Sequence, residues 1–295
     1  MSVLTGKVAV ITGGTRGLGL GMARAYAREG ARVVVASRDE SSVAKAIETL
    51  AGEGIPITGL ACDVAEAAQV SALAEHALHE HGHLDIWVNN AGLSGAYGPT
   101  ALVPRQDFEN VVRANILGVF NGSMTALQHF LPRGQGKLVN VMGMGSRSLA
   151  PMQNAYGSSK AWNRAFTLTL AREYKDSGVG IFAFSPGMVL TDLLLMPRVL
   201  DGFEGRLGRG YQTVLRVLAR PPEVAAAKAV WIASPATDGK TGLEVSAGGM
   251  ASILGRLLQE LARRLAGRPA PEFALEYVRV PPADGWRGDG DGGER

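Results

Sequence analysis

Tyr156 and Lys160 stand four residues apart, so on a helix they share one face. A free tyrosine has a pKa of ~10 and carries protons poorly near neutrality. A neighbouring ammonium stabilises the phenolate, so this pair is expected to act as a general acid/base with a lowered tyrosine pKa. A second cluster, Thr12-Gly-Gly-Thr-Arg-Gly-Leu-Gly19, offers backbone chemistry instead. Glycines there let the chain turn sharply and approach a pyrophosphate, whose charge meets the free N–H groups of a helix start. An i,i+4 pair or a glycine turn alone is common. The reading depends on a strand ending before the glycines and a helix opening after them.

The surrounding pattern supplies those elements. Lys7 to Ile11 and Arg32 to Ala36 are short apolar runs rich in β-branched residues, as are Ile55–Ala61, Ile86–Asn89, Lys137–Met142 and Gly180–Ser185. Leu243 to Ser246 is a shorter seventh run. Between them lie segments of helical length: Leu18–Glu29, Ser42–Glu53, Val70–His81, Phe108–Phe130 and Tyr156–Asp176. Strands that are continuously apolar and alternate with helices predict a parallel sheet covered on both faces. Right-handed crossovers then make it a doubly wound α/β sheet of seven strands. Residues 1–250 are expected to form this domain.

Composition narrows the function classes. The 295 residues are 46% hydrophobic and 19% charged, which excludes a disordered chain and permits a large core. No run reaches the roughly 20 apolar residues of a membrane span, and no basic, apolar leader precedes the first strand-like run. A single cysteine, Cys62, asks for no oxidising compartment. The expectation is a soluble, cytoplasmic protein. A net charge of +3 is too small and dispersed for a nucleic-acid surface. No metal is expected.

The spacing of Gly13, Gly17 and Gly19 resembles the Thr-Gly-x3-Gly-x-Gly loop of the short-chain dehydrogenase/reductase family, and further motifs follow in the family's order. These are Asn89-Asn-Ala-Gly92, Asn115 in Ala-Asn-Ile-Leu-Gly, Tyr156-x3-Lys160, Pro186-Gly187 with Thr191, Thr241-Gly242 and Gly248-Gly249. The resemblance covers about residues 5–250. It implies a Rossmann fold, a nicotinamide cofactor, and interconversion of a ketone or aldehyde with an alcohol. It also implies that Tyr156 exchanges the proton, that Lys160 holds the nicotinamide ribose, and that Asn115 bends its helix and joins a proton relay. The cofactor contacts implied are Gly13, Thr15, Arg16, Gly17, Leu18, Gly19, Ser37, Arg38, Asp63, Val64, Asn89, Ala91, Gly92, Tyr156, Lys160, Pro186, Gly187, Val189 and Thr191. Asp63 and Val64 would flank the adenine, Asn89 to Gly92 the ribose, and Thr191 the carboxamide. Homodimers or homotetramers through Phe108–Phe130 and Tyr156–Asp176 are expected on the same ground.

Where an NAD enzyme carries a carboxylate after its second strand, this chain has Ser37 and then Arg38. An arginine fork suits a 2′-phosphate, and Arg16 could add a second charge, so NADP(H) is the expected cofactor. Asp39 is expected to point away or to cap the next helix.

One departure stands out. The family's substrate-holding serine, thirteen residues before the tyrosine, falls on Gly143. Ser146 is the nearest substitute and Ser148 a less favourable one; backbone, or nothing, could serve instead. This departure keeps open a non-catalytic NADP(H)-binding or redox-sensing protein. Asn-x-x-Gly-x-Gly-Ser146, Ala155-Tyr-Gly-Ser-x-Lys160 and Ser185-Pro-Gly-Met-Val-Leu-Thr191 also resemble the chlorophyll(ide) b reductase branch, whose members reduce a formyl group on a chlorin ring with NADPH.

Two regions lie outside the repeat. Residues 190–221 are expected to form a substrate lid, in which Arg198, Arg206, Arg209, Tyr211 and Arg216 could meet an acidic substrate group. Leu254, Leu257, Leu258, Leu261 and Leu265 predict an amphipathic helix with Arg256, Glu260, Arg263 and Arg264 opposite. Packing of that helix on the domain is expected, ahead of a subunit contact or a membrane anchor. Phe273, Leu275, Tyr277 and Val278 would fold back over the body, 251–280 being an extension and 281–295 a disordered tail.

Overall fold

The computed structural model describes residues 2–283. Five-residue and six-residue apolar runs become the strands β1 (Val8–Thr12) and β2 (Arg32–Ser37), with α1 (Gly17–Arg28) between them. The chain continues through α2 (Glu40–Gly52), β3 (Thr58–Ala61), α3 (Ala67–His81) and β4 (Ile86–Asn89). Then come α4 (Arg105–Val112), α5 (Gly118–Phe130), β5 (Gly136–Val141), α6 (Asn154–Glu173) and β6 (Val179–Ser185). The last part holds α7 (Asp192–Leu195), β7 (Arg198–Leu200), α8 (Glu204–Leu218), α9 (Pro222–Ala233), β8 (Glu244–Ser246), α10 (Met250–Leu265) and β9 (Val278–Val280).

Seven strands form one parallel sheet in the order β3-β2-β1-β4-β5-β6-β8. The doubly wound expectation holds. Successive residues of each strand serve opposite faces. Ala9, Ile11, Val33 and Val35 pack with Met22 and Tyr26 of α1 and Ala229 of α9, whereas Val8, Val10 and Val34 pack with Leu73 of α3 and Phe130 of α5. Both faces of the central strands are therefore dry, which is why their sequences show no polar alternation. The strand order reverses between β1 and β4, opening a crevice at the carboxyl ends of these strands.

The helix expected over Phe108–Phe130 is two helices joined by a wide π turn, Arg113–Leu117. Glycines bring α5 hard against the sheet after it. A Cβ at Gly118 would lie 2.5 Å from Val64 Cγ2, and one at Gly122 would lie 2.0 Å from Asn89 Oδ1.

Neither β7 nor β9 was visible as a strand signal. They pair in parallel as a small second sheet, Arg198 to Leu200 against Val278 to Val280, and tie the C-terminal segment to the lid. Three residues fall too short for periodicity to register. The expected tail begins outside this pairing: Ala283 N donates to Leu102 O at 2.9 Å, and residues 284–295 lie outside the described ones.

Candidate active site

The glycine loop links β1 to α1. Gly13 and Gly17 adopt positive φ, +62° and +53°, which only glycine takes without strain. A Cβ on Gly19 would stand 2.0 Å from Gly13 O, and one on Gly13 would stand 2.9 Å from Ala91 Cα. No side chain caps the first turn of α1, and its N-cap, Arg16, is extended. Narrow backbone walls and an uncapped helix start suit an anionic diphosphate, so the residues present fit a dinucleotide. Thr15 and Leu18 are half-buried beside these glycines.

Two residues absent from the expected set hold this loop in shape. Asn90 Nδ2 donates to Thr12 O and Gly13 O, both at 3.0 Å. Thr12 Oγ1 donates to Val88 O and accepts from the backbone N–H groups of Asn90 and Ala91. Asn90 was legible only as the second asparagine of Asn89-Asn-Ala-Gly92. Asn89 itself turns inward: it accepts from Trp87 Nε1 at 2.8 Å and donates to Asn140 Oδ1 at 2.8 Å. Its buried side chain locks β4 to β5, so only its backbone can face the crevice. Gly92 follows where a Cβ would lie 3.0 Å from Asn115 Oδ1.

At the end of β2, Ser37 is half-buried and Arg38 is exposed; among the described residues Arg38 makes no ion pair. Asp39 caps α2 as expected, accepting from Ser42 N at 3.0 Å and from the hydroxyls of Ser42 and Ser41. Those hydrogen bonds, with that from the Ser42 hydroxyl first, hold its carboxyl below the usual range. Arg16 leans toward Asp192, 3.8 Å away at the start of α7. Asp63 accepts from Ala65 N, shaping the turn in which Val64 is buried. On the other side Pro186 is buried, Gly187 takes φ +76°, and Val189 bridges to Arg220. Thr191 then lies over the glycine loop, its Cγ2 at 3.0 Å from where a Gly17 Cβ would be.

Tyr156 and Lys160 sit on the first turns of α6, as their spacing requires. Buried Lys160 donates from Nζ to Val141 O at 2.9 Å, and Nζ lies 5.8 Å from the Tyr156 ring centroid. Asn115, fully buried in the π turn, accepts from Leu93 N and donates to Leu93 O and Ser159 Oγ. Ser159 donates in turn to Tyr156 O at 2.7 Å, so the π turn is braced against the tyrosine's own helix. Ser159 was another unmarked residue, since a serine within a helix carries no periodic signal.

The expected lowering of the tyrosine pKa does not hold. Burial pushes Tyr156 up to about 12 and Lys160 down to about 8. Both groups lose water that would stabilise their charged forms, and the ammonium is directed at a carbonyl rather than at the phenol.

Gly143 explains the missing serine in steric terms. A Cβ there would stand 2.1 Å from Tyr156 Oη and 2.9 Å from Cζ. The hydroxyl of Tyr156 occupies the space that a serine side chain at 143 would need. Ser146 closes a turn on the same loop, its N–H donating to Gly143 O at 3.2 Å, and Ser148 is exposed. Gly145, at φ +95°, presses on Gly157, where a Cβ would stand 2.3 Å from Gly157 Cα. Beyond it Met152 adopts φ +67°, and its carbonyl accepts from Gly98 N at 2.8 Å.

The lid arginines are committed to the protein. Arg198 pairs with Asp107 at 2.6 Å, Arg216 with Glu260 at 3.4 Å, and the Arg206 guanidinium stacks 5.3 Å from the Phe203 ring centroid. Tyr211 Oη donates to Leu194 O at 2.9 Å. The side chain of Arg209 lies outside the described ones. Exposed Met144, Leu149, Leu193 and Met196 instead stand in the segments flanking the site.

Residues 7–196 match the family model for short chain dehydrogenase, and the chain belongs to that family. Its fold and the order of its motifs are those of the oxidoreductases of that family. A rice chloroplast protein named as a probable chlorophyll(ide) b reductase is 37% identical over 207 residues, 63% of this chain. The chain spans only 41% of the length of that relative. The 3beta-hydroxysteroid dehydrogenase 1 of Eggerthella lenta is 34% identical over 245 residues, 81% of this chain and 91% of its own. The crystal structure of a Brucella melitensis 3-ketoacyl-(acyl-carrier-protein) reductase complexed with NADH superposes with a TM-score of 0.74 at 29% identity, covering 84% of this chain and 99% of that one. Among the described residues, no helix is long and apolar enough to cross a membrane.

Proposed function

We propose that the protein is an NADP(H)-dependent reductase of an apolar ketone or aldehyde, with Tyr156 as the proton donor. The observation that carries this reading is the Tyr156 hydroxyl lodged over Gly143, on a helix whose next turn buries Lys160. Residues Gly13 to Gly19 would hold the diphosphate of a nicotinamide dinucleotide, which when bound would supply the hydride for reduction. Tyr156, pushed up to about 12, is protonated at neutral pH and so holds the proton that the carbonyl oxygen takes up in reduction. Lys160, near 8, stabilises the phenolate that remains and has a proton to return to it. Gly143 then reflects room made for the tyrosine, which supports an enzyme over a non-catalytic binder.

NADP(H) is favoured by Arg38, exposed and unpaired among the described residues, next to an Asp39 already engaged as a helix cap. The apolar flanking residues and the committed lid arginines favour a substrate without an anionic group. The relatives' names range over chlorophyll(ide), hydroxysteroid and ketoacyl chemistry, so one scaffold serves many substrates through its lid. Exposed Phe108, Leu117 and Phe120 along α4, the π turn and α5 are the surface through which a homo-oligomer would form.

Following reduced-cofactor absorbance with NADPH and NADH against a panel of neutral and acidic carbonyls tests the proposal. Turnover of neutral substrates with NADPH preferred is expected. Tight NADPH binding with no turnover across the panel would install the non-catalytic reading in its place.

A further inference from the structure

The amphipathic helix α10 meets the domain with its polar face. Glu260, its side chain only 10% exposed, is the hub: it accepts from Arg263 Nε at 2.9 Å, from Arg264 Nε at 3.1 Å and from Arg216 of α8 at 3.4 Å. Arg256 donates to Ala219 O at 2.7 Å, and Arg264 also reaches Thr213 Oγ1. The segment after α10 is fastened too, since Gln212 and Phe273 exchange two hydrogen bonds and Arg216 donates to Pro271 O. The leucines on the opposite face, Leu254, Leu257, Leu258, Leu261 and Leu265, are 48 to 82% exposed.

We propose that this leucine face is the contact by which two copies of the chain associate. Leu254, Leu258, Leu261 and Leu265 recur at intervals of four, three and four, the seam spacing that lets two helices interlock side chains. The five leucines expose on the order of 500 Å² of apolar surface, at the high end for a lone monomer patch. Two such faces, fully covered, account for about 1,000 Å², the lower bound for a specific interface, with the rims of the two helices adding to it.

A lipid surface fits less well. Interfacial helices hold their cations toward the headgroups and seat aromatic residues at the edge. Here Arg256, Arg263 and Arg264 are engaged with the domain, and residues 250–265 contain no aromatic residue and no lysine. Residues 284–295 bring one apolar side chain, Trp286, among glycines and charged residues. A second copy offers the same apolar face in a self-complementary arrangement.

Sedimentation velocity of the full chain and of Leu258→Glu/Leu261→Glu decides the matter. Because both leucines face water in the single chain, the variant should keep its circular dichroism and thermal midpoint. Its assembly should have half the mass of the wild-type assembly, with the dissociation constant of this contact raised about a thousand-fold or more. A Leu257→Lys/Leu265→Lys variant should behave alike. Equal masses for wild type and both variants would overturn the proposal. So would flotation of wild type, and not of the variants, with neutral or anionic phospholipid vesicles, which would give the face to lipid.

Discussion

At the β1–α1 turn the chain shapes a ligand site with backbone, whereas across the crevice the lid holds itself in place with paired side chains. The first wall is made of Gly13, Gly17 and Gly19, spaced so closely that a Cβ at Gly19 has 2.0 Å of room. The second is made of Arg198 on Asp107, Arg216 on Glu260 and a two-stranded sheet only three residues long. A site built of backbone depends on residues that have no substitute. A wall built of ion pairs depends on who meets whom, and almost any arginine can play the part. Between the two stands Tyr156, placed by a glycine below it and by buried hydrogen bonds behind it.

The largest effect should come from the centre. Tyr156→Phe should lower reductase kcat by about 10³-fold while leaving cofactor affinity within a factor of two or so. Equal loss of cofactor binding would move the tyrosine from chemistry to structure. The same enzyme should show a pH limit set by Lys160. Its pKa is depressed to about 8, so its proton is lost as pH rises through 8 and reduction should fall above that point, while Tyr156 stays protonated. A flat rate from pH 7 to 10 would remove Lys160 from the proton path.

Next, Gly19→Ala tests the backbone wall. The added methyl meets Gly13 O and Asn90 Nδ2, and overpacking of about 1 to 3 kcal/mol corresponds to about 5- to 150-fold weaker cofactor binding by titration. Retained affinity would show that the loop yields, against the contrast drawn above. Gly143→Ser restores the family pattern yet should slow the enzyme about tenfold, because the new Cβ displaces the Tyr156 hydroxyl. A faster variant would mean that the tyrosine moves aside freely and that a missing donor, not space, limits the rate.

The smallest effect belongs to the lid wall. Hydrogen bonds from Arg263 and Arg264 and the nearby Arg216 hold Glu260 down to about 2, below its ordinary value. A depressed carboxylate stabilises fully above its ordinary pKa and loses that contribution as pH falls toward the folded value. Hydrogen-exchange protection over residues 250–283, taken relative to the intrinsic rate at each pH, should therefore fall in the wild type between about pH 4.5 and 2. Glu260→Gln should exchange faster at neutral pH and show little of that acid step. Identical profiles would mean that packing, not the ion cluster, fastens α10.

Much of the first wall was open to reading from one dimension, and little of the second. Gly17, Tyr156 and Lys160 were singled out because their types are rare solutions to local demands. The bracing roles of Asn90, Thr12 and Ser159 carry no local signal, because they lie in partners 78, 76 and 44 residues away. Periodicity predicts an unbroken helix over Phe108–Phe130, because nothing in it announces an extra residue per turn. Asn115 needs that widening to reach Leu93 and Ser159 together.

The order of strands and helices, the glycine loop, the tyrosine–lysine pair and the family were determined by the sequence itself. Each rests on period, on residue type or on spacing within a few residues, and such signals survive without knowledge of distant neighbours. Tertiary structure alone decided that burial would raise Tyr156 rather than let Lys160 lower it. It alone gave Gly143 its meaning, and set Arg198 on Asp107 and Arg216 on Glu260. It also reversed α10: the leucine stripe was plain, but a helix docks whichever face finds the better partner. Glu260, met by arginines from two helices, turns inward, while the five leucines stay exposed among the described residues.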